Sequence, residues 1–483
     1  MNRLPETGLD EESLFEQLAG YRSDDLDTHG GRTWAYVYDH GRAKTEDIAK
    51  QAYLQCLNEN GLDPTVFPSV LHLETDIVGI VAKHLNGDAE TVGNATSGGT
   101  ESCMLAVKTA RDFARAERGI ERPSIIVPET VHAAFHKAAH YFDMELTSVK
   151  VDPVTFRVTP EAIEAAMDER TALVVVSAPS YAHGVVDPVE AVAKLCLDKG
   201  VLLHVDACVG GWVLPYFKRL GADIPAFDFS VEGVTSISVD LHKYAYAPKG
   251  ASVILYRDKN LRRYQMFACA GWTGYTVINP TILSTKSAGP LAGAWATLHH
   301  LGDAGYVDIV ERTKRATEQL LEGIAAIDGL SILGQPDMSL FSFVADGFSI
   351  WHLADAMKAH GWYIQPQLGY GSSPANIHLT VTATSLERVD ELLSDLKECC
   401  EWAKTQHMTE DEAALLDSVR TLKPEDFTPD MYEQMLGMAG FNDGAMLPEK
   451  MASINALLDA LPASLREQLL IAFINDLYRP AAD

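Results

Sequence analysis

Between residues 124 and 205, the sequence alternates short β-branched runs with segments of helical periodicity. The predicted elements, in chain order, are strand 124–127, helix 132–142, strand 146–151, helix 160–167, strand 172–176, helix 188–199 and strand 201–205. Such alternation predicts an α/β fold with a mainly parallel sheet and helices on both faces. Because such sheets bind ligands at the carboxyl ends of their strands, the residues at those ends are the first candidates for a functional site.

The pattern divides the chain into four parts. Residues 1–70 form a polar, aromatic-rich N-terminal segment, and residues 71–300 contain the predicted large domain. Residues 301–404 alternate helix and strand again, which predicts a smaller α/β domain. Residues 405–483 are acidic and helical, and we interpret them as an appended tail. One apolar face of this tail consists of Leu465, Leu469, Phe473 and Leu477.

Charge and cysteine content narrow the class of protein. The chain has 39 basic and 67 acidic residues and a net charge of −28, which argues against nucleic acid or an anionic membrane as its main partner. Its seven cysteines are scattered and form no CxxC pair, as expected of reduced thiols. We find no signal-peptide core and no apolar run long enough to span a bilayer. These features predict a cytoplasmic protein without a membrane-spanning segment.

Lys243 follows His242 at the point where an apolar alternating segment breaks into a turn. A lysine at the end of a strand, away from bulk water, can be kept neutral enough to form a Schiff base. An ordinary strand-end lysine is the more frequent explanation for one such residue alone. We hypothesise that Lys243 holds pyridoxal 5'-phosphate (PLP), and we therefore searched the chain for the other parts of such a site.

Asp206 follows the predicted strand 201–205 and is the candidate acid for the pyridine nitrogen. An acid at this position keeps the ring nitrogen protonated, so that the cofactor can accept electrons from a broken bond. An unpaired carboxylate at the end of a buried strand is costly, which predicts a cationic partner. The alternative is an aspartate that merely caps the next turn.

The sequence Ser97-Gly98-Gly99-Thr100 is the candidate phosphate site. Glycines let backbone amides approach an anion, and the helix that follows directs its positive end toward it. The turn matches neither the GxGxxG fingerprint nor the GxxxxGK phosphate loop. Glycine pairs before helices are common, so the order of all the motifs along the chain is more specific than this turn alone.

His132 begins a predicted helix beyond strand 124–127, where its imidazole could lie flat on a pyridine ring. His132, His136 and His140 are spaced four residues apart, so we also considered a metal site. Three histidines along more than two helical turns do not converge on one ion. We therefore predict no metal.

Four motifs resemble the group II PLP-dependent decarboxylase superfamily and, within it, the sphingosine-1-phosphate lyases. They are TSGGTES at 96–102, VHAAFHKAA at 131–139, HVDACVGG at 204–211 and DLHKYAYAPKG at 240–250. The resemblance covers roughly residues 30–404. It implies the fold type I architecture of PLP-dependent transferases and a homodimer in which the neighbouring subunit completes each site.

The resemblance also implies roles for individual residues. Lys243 is expected to form the Schiff base, Asp206 to pair with the pyridinium, and His132 and Cys208 to lie against the two faces of the ring. The residues expected to hold the cofactor phosphate are Gly98, Gly99, Thr100 and His242.

Other matched positions point to the substrate and to proton transfer. Tyr38, Lys249 and Lys286 match positions near the substrate end of the lyases. Tyr244, Tyr246 and Lys249 are candidates for proton transfer, since a tyrosine or lysine can serve once its surroundings shift its pKa.

The implied reaction of a small-molecule substrate is cleavage of a carbon–carbon bond in an amino alcohol phosphate. Three departures from the lyase pattern put that substrate in question. Asn60-Gly-Leu-Asp63-Pro replaces the histidine-containing Asn-Pro-Leu-His-Pro, and Trp-Thr-Gly-Tyr at 272–275 replaces a Trp-x-Gly-Gly motif. The helical tail is also not typical of the lyases. The alternatives are an L-amino acid decarboxylase for an aromatic or acidic substrate, and a catalytically silent scaffold protein. The intact Lys243, Asp206 and His132 argue against the scaffold.

Overall fold

A computed structural model describes residues 4–426, 428, 430–432 and 450–480. Its centre is a seven-stranded sheet. The strands in chain order are β1 (Val92–Thr96), β2 (Ser124–Pro128), β3 (Glu145–Val149), β4 (Thr171–Ser177), β5 (Leu202–Asp206), β6 (Ser236–Asp240) and β7 (Ser252–Tyr256). Their spatial order is β1-β7-β6-β5-β4-β2-β3. Strand β7 runs antiparallel to both neighbours and the other pairs are parallel, which confirms the predicted mainly parallel sheet.

Helices cover both faces of this sheet. In chain order, the helices of this part of the chain are α1 (Glu11–Tyr21), α2 (Ala43–Gln55), α3 (Pro68–His84), α4 (Gly99–Arg118), α5 (Ala134–Tyr141), α6 (Pro160–Ala166), α7 (Val189–Lys199), α8 (Gly210–Arg219) and α9 (Lys259–Arg262), of which α1 has no buried residue. Local sequence sets several of their ends: Thr159 caps α6 ahead of a proline, and Gly119 ends α4 with a φ of 66°. Strand β1 was not predicted, because its Val-Gly-Asn-Ala-Thr run has little strand character.

A hairpin and a long helix connect the large sheet to the next part of the chain. The hairpin consists of β8 (Phe267–Cys269) and β9 (Val277–Asn279), and α10 (Ala288–Ala325) follows it. Gly302 interrupts α10 with a φ of 58°, which produces a kink. The predicted boundary between residues 300 and 301 falls inside this helix, next to the kink, and the four-part division of the chain stays a prediction.

The smaller α/β unit has a four-stranded antiparallel sheet in the order β10-β11-β13-β12. Its elements are β10 (Leu330–Ile332), β11 (Leu340–Ala345), α11 (Ile350–Ala359), β12 (Gln365–Gln367), β13 (Asn376–Thr380) and α12 (Val389–Lys404). Trp34 of the N-terminal segment is buried in its core, and the backbone of Trp34 is hydrogen-bonded to Tyr363 and Thr380. The part of the N-terminal segment around Trp34 is therefore packed into the small domain.

The tail contains α13 (Glu410–Val419), α14 (Ala452–Ala460) and α15 (Ala463–Leu477). The Asp355 carboxylate accepts hydrogen bonds from the first amides of α14, and Asp459 accepts one from the Gly369 amide at 2.6 Å. The tail therefore packs on the small domain of its own chain. On the predicted apolar face, Leu465 and Leu469 are buried, whereas Leu477 is 60% exposed. Within the described ranges, none of the helices is long and apolar enough to cross a membrane.

Candidate active site

The carboxyl ends of β4, β5 and β6 open into a cavity of about 470 Å³, which the turns after β1 and β2 also reach. Nine of the predicted site residues line it: Gly98, Gly99, Thr100, His132, Asp206, Cys208, His242, Lys243 and Lys249. This is the edge at which parallel sheets bind ligands. The tertiary structure thus brings together groups that lie up to 151 positions apart in the sequence.

Lys243 lies in the turn after β6, and its Nζ is 2.8 Å from Oδ2 of Asp240. Burial, the largest single influence, lowers the pKa of Lys243, but the charge and hydrogen bond of Asp240, with Tyr38 and Cys208, together hold that pKa well above its usual value. Burial in turn raises the pKa of Asp240, yet the charges of Lys243 and His242 bring it below the usual range. These contacts correct the expectation that the strand end keeps the lysine neutral, because a buried carboxylate beside it favours the charged amine.

Asp206 is the last residue of β5, and its side chain is held by neutral donors. Its Oδ1 accepts hydrogen bonds from the Cys208 amide at 3.1 Å and the Ser238 hydroxyl at 3.4 Å. Behind them, His204 contacts Ser236 through Nδ1 and Ser238 through Nε2, and burial lowers the pKa of His204 to about 4. His204 is therefore neutral near pH 7.

The predicted cationic partner of Asp206 is not found among the side chains in the described part of the chain. A buried carboxylate that borders the cavity, without an ion pair to a described lysine or arginine, suits a protonated ring nitrogen. Asp206 therefore fits a bound pyridoxal 5'-phosphate.

The glycine turn and His242 form the predicted phosphate end of the cavity. A Cβ on Gly99 would lie 2.5 Å from Oδ2 of Asp240, so only glycine fits there. The Glu101 carboxylate accepts hydrogen bonds from the amide and hydroxyl of Ser97 and fixes the turn. His242 donates from Nδ1 to the Ala251 carbonyl at 2.8 Å. The turn, Thr100 and His242 lie at one end as predicted, and phosphate binding itself stays a prediction.

His132 lines the cavity just before α5, and its Nδ1 accepts a hydrogen bond from the Ala134 amide at 3.1 Å. His136 and His140 do not line it. A different group, Cys103, Asp206 and Cys208, has its ligand atoms within 4.8 Å of one another inside the cavity. In the part of the chain that the structure describes, the three histidines form no comparable group.

Lys249 stands at the mouth, between this cavity and a neighbouring one of about 280 Å³. Its Nζ lies 3.3 Å from the His242 carbonyl and 5.1 Å from the centroid of the Tyr38 ring. Burial, and then the charge of Lys243, lower the pKa of Lys249. Burial raises the pKa of Tyr38 to about 12. Two predicted substrate residues, Tyr38 and Lys249, are therefore in contact beside Lys243.

Four predicted site residues do not line this cavity, namely Tyr38, which lines the neighbouring one, and Tyr244, Tyr246 and Lys286. The Tyr244 hydroxyl donates to the Val381 carbonyl at 2.8 Å and accepts from Ser339, so it joins the two domains. Tyr246 has a φ of 58° and faces the neighbouring cavity. Lys286 Nζ is 2.7 Å from Glu74 Oε2. These contacts correct the expectation that the two tyrosines transfer protons in this cavity, because the Tyr244 hydroxyl is bound to the small domain and Tyr246 lines the neighbouring cavity.

Several residues of the cavity were not predicted from the sequence, among them Asp240, Cys103 and Tyr181. Asp240 ends β6 just as Asp206 ends β5, so the rule that selected Asp206 would have found it. The Tyr181 hydroxyl donates to Oε1 of Gln365 at 2.8 Å and connects the cavity to the small domain. Neither Tyr181 nor Cys103 stands in a motif that marks it.

Comparison with known proteins identifies the family. The model of the pyridoxal-dependent decarboxylase conserved domain matches residues 43–346, and that described as "Pyridoxal-dependent enzyme, C-terminal putative HTH domain" matches residues 413–476. The chain is 39% identical to a sphingosine-1-phosphate lyase of Arabidopsis thaliana over 410 residues, which are 83% of this chain and 74% of that protein. It is 31% identical to a probable L-tyrosine/L-aspartate decarboxylase of Methanothermobacter thermautotrophicus, over 72% of this chain and 93% of that one.

Among solved structures, a sphingosine-1-phosphate lyase of Burkholderia pseudomallei superimposes with a TM-score of 0.80 at 36% identity, over 84% of this chain and 93% of that one. This similarity confirms the predicted fold type I architecture. The cofactor is pyridoxal 5'-phosphate, as the family model and the cavity around Asp206 together indicate. The chain therefore belongs to the pyridoxal-dependent decarboxylase family and is a PLP-dependent lyase.

Proposed function

We propose that this enzyme cleaves a carbon–carbon bond of a phosphorylated amino alcohol, such as sphingosine-1-phosphate, to give an aldehyde and phosphoethanolamine. The observation that carries the proposal is its similarity to sphingosine-1-phosphate lyases in both sequence and structure. The position of Lys249 supports it, because an amine at the mouth of the cavity can meet an anionic or hydroxyl-bearing substrate.

Lys243 would hold the cofactor covalently, with Asp206 opposite the ring nitrogen and His132 and Cys208 on the two ring faces. The residues proposed for its phosphate are Gly98, Gly99, Thr100 and His242. When bound, the cofactor supplies an electron sink for the bond that breaks. The neutral donors around Asp206 support its proposed role, because they leave its negative charge available to the ring.

We assign the first proton transfer to Lys249. Burial, and then the charge of Lys243, lower its pKa, which makes Lys249 a better base toward the substrate hydroxyl than an ordinary lysine. Loss of that proton lets the carbonyl of the aldehyde form as the carbon–carbon bond breaks. Tyr38 has a pKa raised to about 12, so it stays protonated and can donate a hydrogen bond to the oxygen.

We propose that the enzyme is a homodimer with shared active sites. The β8–β9 hairpin carries exposed aromatic and aliphatic side chains, namely Phe267, Trp272, Tyr275 and Ile278. Helix α1 has no buried residue of its own, although Leu14, Phe15 and Leu18 lie along it. Apolar patches of this kind mark interaction surfaces. Asp63 lies on an exposed loop and does not line the cavity of its own chain, so we propose that it contacts the substrate of the neighbouring subunit.

We propose that the enzyme acts in the cytoplasm and does not bind nucleic acid. The seven cysteines are unpaired in the structure, as in a reducing compartment. Residues 413–476, where the C-terminal model matches, contain ten acidic and four basic residues. This excess of negative charge opposes contact with a phosphate backbone.

A second candidate is an L-amino acid decarboxylase, which the similarity to the probable L-tyrosine/L-aspartate decarboxylase favours. The same cofactor site would serve, but the bond broken would be the one to a carboxylate. Asp63 in place of a histidine also fits this candidate, because a carboxylate repels a substrate phosphate.

A substrate panel scored for aldehyde against carbon dioxide distinguishes the two activities. We expect aldehyde from sphingoid-base phosphates and no carbon dioxide from tyrosine, aspartate or glutamate. The Lys243→Ala variant serves as the inactive control and gives the background release of aldehyde and of carbon dioxide. Carbon dioxide from an amino acid, without aldehyde from any sphingoid phosphate, would establish the decarboxylase instead.

A further inference from the structure

Asp240 and Lys243 form a closed pair at the inner end of the cavity. The Asp240 side chain is 2% exposed, and its Oδ2 lies 2.8 Å from Lys243 Nζ and 3.8 Å from His242 Nε2. On its other side it abuts Gly99, where even a methyl group would collide with both carboxylate oxygens. The carboxylate therefore has no room to turn away from the lysine.

The hydrogen bonds of Asp240 show how strongly it depends on Lys243. Its Oδ1 is buried and has no hydrogen-bond partner of good geometry among the described residues, and a weak contact with the Ser252 hydroxyl also helps to lower the pKa of the carboxyl. Its Oδ2 has the Lys243 ammonium as its one close cationic contact in the described part of the chain, His242 being farther away. A neutral Lys243 would leave a buried carboxylate without a close countercharge, and such a charge is costly.

We propose that Asp240 is a positioning residue that keeps the Lys243 amine protonated whenever this amine is not bonded to the cofactor, and so sets the pH range in which Lys243 can bond to it. The inference rests on the proposed role of Lys243 as the cofactor lysine. It assigns to Asp240 a role different from that of Asp206, although both end neighbouring strands of the sheet.

Other charged or titratable groups around Lys243 come from several elements. Tyr38 belongs to the N-terminal segment, and burial raises its pKa to about 12. Cys208 follows β5, and its hydrogen bond with Cys103, and then burial, raise its pKa well above the usual value, so both groups are neutral near pH 7. His242 and Lys249 are on the same turn as Lys243, and burial lowers the pKa of each. Asp240 is therefore the close negative charge that opposes proton loss from Lys243.

Competitive acetylation tests this pairing without measuring activity. The full-length protein is freed of cofactor with hydroxylamine and labelled with trace acetic anhydride over a series of pH values. The acetylated fraction of Lys243 is then measured by mass spectrometry relative to that of the exposed Lys44. In Asp240→Asn, labelling of Lys243 at neutral pH should rise roughly tenfold or more, because one pKa unit corresponds to a tenfold change in the free amine.

Asp206→Asn is the matched control, since it neutralises a buried carboxylate on the neighbouring strand that does not contact Lys243. It should leave the labelling of Lys243 unchanged. An unchanged profile in a folded Asp240→Asn variant, or an equal rise in Asp206→Asn, would overturn the inference. The wild-type protein gives a further test. Lys243 should be acetylated less than Lys249 at every pH at which the two amines are not fully deprotonated. Greater acetylation of Lys243 than of Lys249 would contradict the pairing with Asp240.

Borohydride reduction of the loaded wild-type enzyme separates this inference from the proposed site. Cofactor trapped on Lys243 supports the assignment on which the inference rests. Cofactor trapped on another lysine overturns that assignment, and with it the role of Asp240 in cofactor bonding. A failed acetylation result alongside cofactor on Lys243 overturns the role of Asp240 alone.

Discussion

Two buried aspartates end neighbouring parallel strands of the same cavity, yet their surroundings differ. Asp206 is held by a backbone amide and a hydroxyl, with a neutral histidine behind them. On the neighbouring strand, Ser238 is paired in register with Asp206, and Asp240 lies two residues further along. The Asp240 carboxylate contacts Lys243, three positions later in the chain. The first carboxylate has no described cation and can receive one from the cofactor, whereas the second is already paired. The contacts supplied by the following turn, and not the strand end itself, decide the role of each.

The largest effect is expected when Lys243 is removed. Lys243→Ala should lower activity by at least about 10³-fold, as for other residues that form a covalent bond during catalysis. It should also destabilise the fold by about 3 kcal/mol, because Asp240 is left buried without its countercharge. Thermal unfolding measures this second loss.

The double variant Asp240→Asn/Lys243→Ala checks the cause. Removal of both charges should recover most of the lost stability while activity stays absent. If the double variant is as unstable as Lys243→Ala, the two side chains do not form a stabilising pair and the contrast with Asp206 fails.

The next largest effect separates the two aspartates directly. Asp206→Asn should lower kcat by roughly 100-fold, because the ring nitrogen loses its charged partner. Asp240→Asn should instead shift the pH dependence of cofactor rebinding toward lower pH, since Lys243 then loses its proton more easily. Steady-state kinetics and the pH profile of reconstitution measure the two outcomes. Identical effects of the two variants on both measurements would contradict the distinction.

Gly99→Ala should disturb the phosphate end and the Asp240–Lys243 pair together. The added methyl group would lie 2.5 Å from Asp240 Oδ2, and such overpacking costs roughly 1–3 kcal/mol. We expect cofactor affinity, measured by fluorescence titration, to fall about tenfold or more. Gly98→Ala is the control, because its methyl group would be 3.8 Å from His242 and in ordinary contact. Equal losses in both variants would show that the turn fails as a whole.

The smallest effect concerns the hydrogen bonds behind Asp206. Ser238→Ala removes a hydroxyl shared by Asp206, Cys208 and His204, and should cost about 1 kcal/mol of stability together with a few-fold loss of cofactor affinity. Ser236→Ala removes the contact to the other nitrogen of His204, so it should lower stability alone. Loss of affinity in Ser236→Ala of the same size would show that His204, and not Ser238, is the critical support.

The sequence predicted the frame of the fold well because its signals are local. The β-branched run at 172–176 and the helix at 188–199 recur in the structure as β4 and α7 within a residue or two. Strand β1 was missed because only its two terminal residues are β-branched, and it acquires strand structure by pairing with β7, more than 150 residues away. Its identity as a strand depends on that long-range partner.

In the active site too, the residues marked by local patterns were predicted and the side-chain directions set by long-range contacts were not. Lys243, Asp206 and His132 were found because each follows a recognisable strand or begins a recognisable helix. Tyr244 and Tyr246 were misplaced because spacing within a turn does not give the direction of a side chain. The Tyr244 hydroxyl binds a carbonyl of the small domain 137 positions away, a contact that no local pattern announces.

The sequence by itself determined the alternation of strands and helices, the glycine turn and the order of the chemical groups, because hydrophobic periodicity and capping act over a few residues. Only the tertiary structure decided which partner each buried charge receives. Strand register sets Ser238 beside Asp206, and the packing of α4 sets Gly99 against Asp240. Those neighbours come from distant parts of the chain, so they exist only once the sheet has formed.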